Sequence, residues 1–347
     1  MAKKVLIAMS GGVDSSAAAY ILKEQGYDVS GAIMRLWDKP DTDKSIEDAR
    51  KVCENLGIDF YVLDNRKEFR ESVIENFINE YKNGRTPNPC VVCNKFLKFG
   101  AFWNKANEMG FDYIATGHYA KKMYNEETGK YELLKSPLEK KDQSYFLYNM
   151  TQEILAHILF PLSDFEDKEE VRALAEKAGI QVAKKPDSQE ICFIPDNDHT
   201  NFILKELPEL KNGKIVDKQG DIRGEHCGII KYTIGQRKGL GISNSTPLFV
   251  IKIDANKNEV IVGEESDLYS KELIAKDINL ISYENISENF KCTAKIRYAA
   301  KPVNCIINKV EDNKLKIEFE EPQRAITPGQ SVVLYDGDIV IGGGIID

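Results

Sequence analysis

Through its first 115 or so residues the chain alternates short apolar runs with amphipathic stretches. The runs near residues 4 to 9, 28 to 35, 59 to 63 and 112 to 116 read as strands. The stretches between them carry the helical period, so a parallel sheet covered on both faces is predicted. Ser45-Ile46-Glu47-Asp48 has the form of a capping box opening a helix that stops at Gly57, and a second helix is expected from roughly Glu68 to Lys82, before Gly84. A hairpin should turn at Glu126-Glu127-Thr128-Gly129. Another capping box, Asp167-Lys168-Glu169-Glu170, should open a helix ending at Gly179. Beyond about residue 205 the helical period gives way to glycine-punctuated β-branched segments. Turns are expected at Asn256-Lys257-Asn258, Glu311-Asp312-Asn313 and Asp336-Gly337-Asp338, which suggests a small β domain followed by a barrel.

At 347 residues the chain exceeds what one core usually serves. Three domains are expected, over residues 1–204, 205–269 and 270–347. No run of about eighteen apolar residues occurs, and Met1-Ala2-Lys3-Lys4 leads straight into a strand, so a cytoplasmic protein without a membrane partner is expected. The seven cysteines are an odd number in a large chain, which argues against a disulfide framework and for chemistry or metal. A net charge of -8 disfavours nucleic acid at first sight. Basic islands qualify this: Lys135, Lys140 and Lys141; Lys184 and Lys185; Lys231, Arg237 and Lys238; Lys295, Arg297 and Lys301. Each island taken alone reads more readily as a solvated face.

The candidate chemistry centres on Ser10-Gly11-Gly12-Val13-Asp14-Ser15-Ser16, between the run Val5 to Met9 and the helical Ala17-Ala18-Ala19. Two glycines permit a tight turn whose backbone N–H groups converge on an anion at a helix N-terminus, and phosphate is the natural guest. No Gly-Lys-Ser/Thr follows, so this is not a Walker loop. The stretch resembles the PP-loop of the ATP pyrophosphatases, which cleave ATP between its α and β phosphates.

A second candidate is Asn88-Pro89-Cys90-Val91-Val92-Cys93-Asn94-Lys95, where a helix is expected to begin near Cys93. The helix dipole would favour a thiolate there, with Lys95 assisting. Half a zinc site, a redox pair and an incidental cysteine are the competing readings, and no second CxxC or spaced histidine pair supports zinc. Cys192, in Asp187-Ser188-Gln189-Glu190-Ile191-Cys192-Phe193-Ile194, reads by pattern as a small buried residue. A polar approach segment beside it keeps a reactive role open.

Taken in order, SGGVDSS, NPCVVCNKFLKF, ATGHYA, KDQSYFL, DSQEICFI, YTIGQRKGL and PGQ resemble, nearly end to end, the MnmA family of tRNA-specific 2-thiouridylases. The resemblance implies a Rossmann-like α/β PP-loop ATP pyrophosphatase domain with a parallel sheet, a central β-rich domain and a C-terminal β-barrel. It implies ATP and Mg2+, with Ala8, Met9, Ser10, Gly11, Gly12, Val13, Asp14, Ser15, Met34 and Gly117 holding the nucleotide and Asp14 acting in catalysis. Cys192 would carry sulfur as a persulfide and Cys93 would assist, ending in a Cys93–Cys192 disulfide that an outside reductant resets. Asn88, Pro89 and Cys90 would meet the target base. Lys141, Asp142, Gln143, His118, Arg297, Tyr298 and Gln330 would support the tRNA, an acceptor for Lys, Glu or Gln with a wobble uridine. The sulfur would come from a persulfide donor such as a cysteine desulfurase or a relay protein.

The family often has aspartate where this chain has Cys90. Cys90, Cys93 and Cys192 therefore also suit a [4Fe-4S] cluster with one iron open to hydrosulfide, an alternative mechanism for the same reaction. Another PP-loop tRNA-modifying ligase, or an ATP-sensing or RNA-binding module whose cysteines are core residues, remains a competing reading. Neither needs two reactive thiols.

Overall fold

The computed structural model describes residues 2–38, 42–177, 191–194, 198–207 and 209–347. The first unit runs β1 (Lys4–Ala8), α1 (Val13–Glu24), β2 (Asp28–Arg35), α2 (Thr42–Leu56) and β3 (Asp59–Asp64). A long helix follows as α3 (Arg66–Phe69), a π-helical stretch Arg70–Ile74 and α4 (Glu75–Lys82). A second is built as α5 (Pro89–Cys93), a π-helical stretch Asn94–Ala101 and α6 (Phe102–Glu108). Then come β4 (Tyr113–Ala115), the hairpin β5 (Lys121–Asn125) and β6 (Lys130–Leu134), α7 (Gln152–His157), β7 (Ile158–Leu159), α8 (Lys168–Lys177) and α9 (His199–Glu206).

The sheet order is β3-β2-β1-β4-β7, all parallel. Side chains alternate across β1, so Val5 and Ile7 face a layer containing Ala17, Val52 and Val171, while Leu6 faces one containing Phe102, Trp103 and Leu155. This accounts for the uninterrupted apolar run at β1, whose Val5, Leu6 and Ile7 are all 0% exposed. The strand order reverses between β1 and β4, and in open α/β sheets that reversal is where ligands bind.

The start of α2 differs from the sequence reading. Helix α2 is already formed at Thr42, whose hydroxyl donates to the Trp37 carbonyl at 2.8 Å, so Ser45 lies inside the first turns rather than capping them. The stop at Gly57 holds, with φ +62°. Asp167 does cap α8, accepting from Glu169 N at 3.0 Å. The expected stop at Gly179, the Lys184-Lys185 island and the polar segment Asp187 to Glu190 lie outside the described residues.

The second unit is a four-stranded sheet of β8 (Gly213–Val216), β9 (Ile222–His226), β10 (Phe249–Asp254) and β11 (Glu259–Gly263), ordered β10-β11-β8-β9. The third consists of β12 (Tyr269–Leu280), β13 (Phe290–Lys295), β14 (Val303–Glu311), β15 (Lys314–Arg324), β16 (Ser331–Asp336) and β17 (Ile339–Ile346). They run β12-β15-β14-β13-β16-β17, and the β12–β17 pairing closes a six-stranded barrel. The expected turns at 256–258, 311–313 and 336–338 join successive strands, with Asn258, Asn313 and Gly337 at positive φ.

The barrel and the first unit share a core. Ile281, Val333, Tyr335 and Val340 pack in the same apolar cluster as Leu6, Phe102 and Tyr145. Hairpin strand β6 also pairs with β17 at Leu134 and Ile339. The Tyr145 hydroxyl donates to the Ser331 carbonyl at 2.8 Å, and Asn279 Nδ2 donates to the carbonyls of Tyr148 and Met150 at 2.7 and 3.0 Å. The KDQSYFL segment is therefore the seam between the two units. No helix among the described residues is long and apolar enough to cross a membrane.

Candidate active site

The loops that follow β1 and β4 meet at the strand-order reversal. Gly11 has φ +68°, and a Cβ there would stand 2.8 Å from the Ser45 carbonyl oxygen, so α2 closes tightly over the turn. Gly117 serves a close approach instead: a Cβ would lie 2.8 Å from Ser15 N and 2.9 Å from Asp14 C. Gly12, the residue before α1, makes no side-chain cap, which leaves first-turn N–H groups available to an anion. The serine hydroxyls brace the turn. Ser15 Oγ accepts from Ser10 N at 3.2 Å, and Ser16 Oγ donates to the Gly12 carbonyl at 2.7 Å.

Above this turn lies a cavity of about 380 Å³. Its wall contains Ala8, Met9, Ser10, Asp14, Ser15, Met34 and Gly117 of the expected nucleotide set, with His118, Gln143 and Cys192. Gly11, Gly12 and Val13 form the loop behind that wall. Asp14 is held by residues the sequence reading did not single out: Tyr119 Oη donates to Oδ1 at 2.8 Å, and Lys168 Nζ stands 3.4 Å from Oδ2. Tyr119 was within reach of sequence, two residues past Gly117 in ATGHYA. Lys168 was not, because it comes from the start of a helix far along the chain.

The cysteine helix corrects three expectations. It begins at Pro89, with Asn88 Oδ1 accepting from Val91 N at 3.3 Å as its cap, so Cys90 occupies the first turn and Cys93 lies at the end of α5. Cys93 is buried beside Phe193 and Ile230, and burial pushes its thiol up to about 12, with Lys98 pulling the other way. A resting thiolate at Cys93 is therefore not what this geometry favours. Cys90 keeps solvent-accessible surface, yet the protein packed around it raises its pKa as well, again opposed by Lys98. The expected helper Lys95 instead lies over the Phe96 ring at 5.5 Å. Lys98, five residues after Cys93 along a π-helical stretch, shares its face and is the nearby cation.

Cys192 is exposed, contrary to its apolar pattern. Its neighbour Phe193 is the anchor, 2% exposed and edge-on to Phe69, Phe77 and Phe202. That arrangement turns Cys192 toward the cavity. It is near enough to Cys90 and Cys93 that its charge raises the pKa of both. Among the described residues no group of three His, Cys, Asp or Glu side chains is arranged to hold a metal ion.

A labelling order follows from these environments. Cys227 is exposed, and its pKa is lowered by Lys231, whose Nζ lies 3.0 Å from Sγ, whereas burial pushes Cys53 and Cys93 up to about 12. Limited alkylation near neutral pH, read by peptide mass spectrometry, should modify Cys227 at least about tenfold faster than Cys53 or Cys93. Equal rates at Cys93 and Cys227 would contradict the burial argument.

The expected tRNA contacts separate into two kinds. Asp142 is buried and accepts from Ser136 N, Ser144 N and Ser144 Oγ at 3.1, 3.1 and 2.9 Å, so its carboxylate is used to fold the seam. Gln330 Nε2 donates to the Thr86 and Pro87 carbonyls at 3.0 and 3.2 Å, fixing the loop that delivers Asn88 and Pro89. Gln143 Oε1 accepts from Tyr119 N at 2.9 Å at the cavity wall. By contrast, Tyr298 is partly exposed, 4.5 Å from the Phe146 ring, with Lys295 Nζ 5.5 Å from its own ring. Arg297 beside it is exposed, and Nη1 donates to the Arg324 carbonyl at 3.2 Å. Lys141 is half-buried at the opposite end of the KDQ turn.

Family models match nearly the whole length in three parts. A tRNA methyl transferase HUP domain model matches residues 3–196, a tRNA methyl transferase PRC-barrel domain model 200–264, and an aminomethyltransferase β-barrel domain model 270–346. A tRNA-specific 2-thiouridylase MnmA of Clostridioides difficile is 54% identical over 357 aligned residues, covering 100% of this chain and 99% of the relative. Proteins of the same name from Acetivibrio thermocellus and Clostridium acetobutylicum are 53% and 52% identical, covering 99% and 100% of this chain and 99% and 100% of the relatives. Sequence likeness over the full chain, with a PP-loop and a cysteine facing the same cavity, shows that the chain belongs to the MnmA family of tRNA-specific 2-thiouridylases.

Proposed function

We propose that the chain thiolates wobble uridine of tRNA in the cytoplasm, activating the base with ATP and delivering sulfur from a persulfide on Cys192. Residues 1–204 would supply the catalytic domain, with 205–269 and 270–347 as the two β domains. The observation that carries this reading is that Ser10, Asp14 and Ser15 of the glycine loop line one cavity with the exposed thiol of Cys192.

The C2 carbonyl of uracil is amide-like and does not exchange oxygen for sulfur unaided. In the activation step O2 forms a bond to the α-phosphorus of ATP, the bond to the β-phosphate oxygen breaks with its electron pair on pyrophosphate, and the N3 proton is lost to solvent. The terminal sulfur of Cys192–S–S⁻ then attacks C2, and AMP departs with the C–O electron pair. Attack by the Cys93 thiolate on Cys192 Sγ releases thiouridine and leaves a Cys93–Cys192 disulfide. The two thiols supply the two electrons that reduce sulfane sulfur, and an external dithiol restores them. Burial favours the protonated thiol at Cys93, so it gives up its proton before it attacks, and Lys98 is the cation that opposes burial there.

Asp14, a carboxylate in the cavity wall, fits a Mg2+ ion, which would neutralise phosphate charge. Asn88, Pro89 and Cys90 would meet the turned-out base, while Lys141, Arg297 and Tyr298 would receive the anticodon loop. The persulfide is preferred here to the [4Fe-4S] alternative on Cys90, Cys93 and Cys192 because an exposed thiol at the cavity wall suits loading by a donor protein. Purified protein given tRNA, ATP, Mg2+ and a persulfide donor should form AMP, pyrophosphate and 2-thiouridine in equal amounts. Stoichiometric ADP, or AMP formation indifferent to tRNA, would sink the proposal.

A further inference from the structure

A loop that grips phosphates without the Walker lysine needs positive charge from elsewhere to stabilise the α-phosphate as pyrophosphate leaves. Two cations approach the site among the described residues. Lys168 is directed at the Asp14 carboxylate, 3.4 Å away. Lys98 is the one lysine or arginine among the described residues of the cavity wall, and no carboxylate among them lies within ion-pair distance of it.

The position of Lys98 is set by a chain of contacts reaching back to the glycine loop. Its Nζ lies 3.4 Å from His118 Nε2, and His118 Nδ1 lies 2.8 Å from Thr116 Oγ1. An ammonium can only donate, so Nε2 is the acceptor and the ring proton sits on Nδ1, facing Thr116. Burial, and then Lys98 itself, holds His118 well below the usual histidine range, which keeps that acceptor neutral. His118 follows Gly117, whose backbone packs against Asp14 and Ser15. Lys98 is thereby tied to the strand end that abuts the first turn of α1, with two more N–H groups to give.

Building on the thiouridylase reading, we infer that Lys98 is a catalytic residue of the activation step, its ammonium bonding the α-phosphate, and that His118 is the positioning residue that aims it. This assigns His118 a task other than the tRNA contact implied by resemblance. Bond formation from O2 puts negative charge on the non-bridging oxygens of the five-coordinate α-phosphorus in the transition state, so the contact should weigh more on kcat than on KM.

The test is tRNA-dependent ATP–pyrophosphate exchange with Mg2+, alongside loading of labelled sulfur onto Cys192 from a persulfide donor. Lys98→Met should lower kcat for exchange about 100-fold. Its KM for ATP should stay within about threefold, with sulfur loading intact. Lys98→Arg, which keeps the charge, should recover to within about tenfold of the unsubstituted protein. His118→Gln should lose about tenfold in kcat while also loading sulfur normally. Exchange by Lys98→Met within about threefold of the unsubstituted protein would overturn the assignment. So would equal loss of both exchange and loading in Lys98→Met and Lys98→Arg, which would mark a packing role. Normal exchange by His118→Gln would overturn the positioning role. No exchange by the unsubstituted protein would overturn the thiouridylase reading on which the assignment rests.

Discussion

Cys192→Ser should still adenylate tRNA, releasing pyrophosphate, yet make 2-thiouridine at least about 10³-fold more slowly than the unsubstituted protein. Serine keeps the size and hydrogen-bonding reach of the side chain, and the segment is held by Phe193 among Phe69, Phe77 and Phe202 rather than by Cys192. An exposed substitution of that kind should change stability by no more than about 0.5 kcal/mol. What it removes is the sulfur atom able to form and later surrender an S–S bond. Nucleoside mass spectrometry of the product tRNA, with AMP measured in the same tube, separates the two steps. Thiolation within about tenfold of the unsubstituted rate would show that another group carries the sulfur.

Asp14→Asn should lower AMP formation by about 10² to 10³-fold. The substitution retains an oxygen able to accept from Tyr119 Oη but deletes the negative charge opposite Lys168 and the proposed Mg2+ ligand. Because the geometry is preserved, tRNA binding measured by filter retention should be unchanged, and sulfur loading of Cys192 should proceed. If AMP forms at an undiminished rate, the loop does not act through its carboxylate, and the equivalence of this turn with a pyrophosphate grip fails.

How much of this was readable in advance depends on whether a residue's surroundings are local. The strands of the first unit and the turns at Asn258, Asn313 and Gly337 follow from runs of apolar residues and from backbone angles that asparagine and glycine tolerate. The need for Gly11 and Gly117 was legible as glycine, though not the atoms each makes room for. The start of α5 was also encoded: Asn88 before Pro89 is a cap followed by the residue best suited to a first helical position, a stronger signal than the extended bias of the two prolines.

The thiols were a different matter. Cys93 is buried by Phe193 and Ile230, roughly a hundred residues or more away along the chain, and no local pattern reports that. Cys192 looked apolar by its neighbours because Phe193 and Ile194 carry the burial for the whole turn. Asp142 and Gln330 matched motifs expected at the RNA, yet their hydrogen bonds go to the seam and to the loop before α5. Side chains of these motifs divide between building the fold, as Asp142 and Gln330 do, and facing outward, as Arg297 and Tyr298 do.

Passage of sulfur from Cys192 to the wobble base, with Cys93 as its reducing partner, is the step on which the proposed function rests. It is tested most directly by a single turnover without oxygen, using protein carrying labelled persulfide on Cys192, an iron chelator, tRNA and ATP. About one labelled 2-thiouridine should form per loaded protein and, in the same sample, a Cys93–Cys192 disulfide should be found by peptide mass spectrometry. Label that stays on Cys192 until iron is restored, with turnover then requiring Cys90, would contradict it.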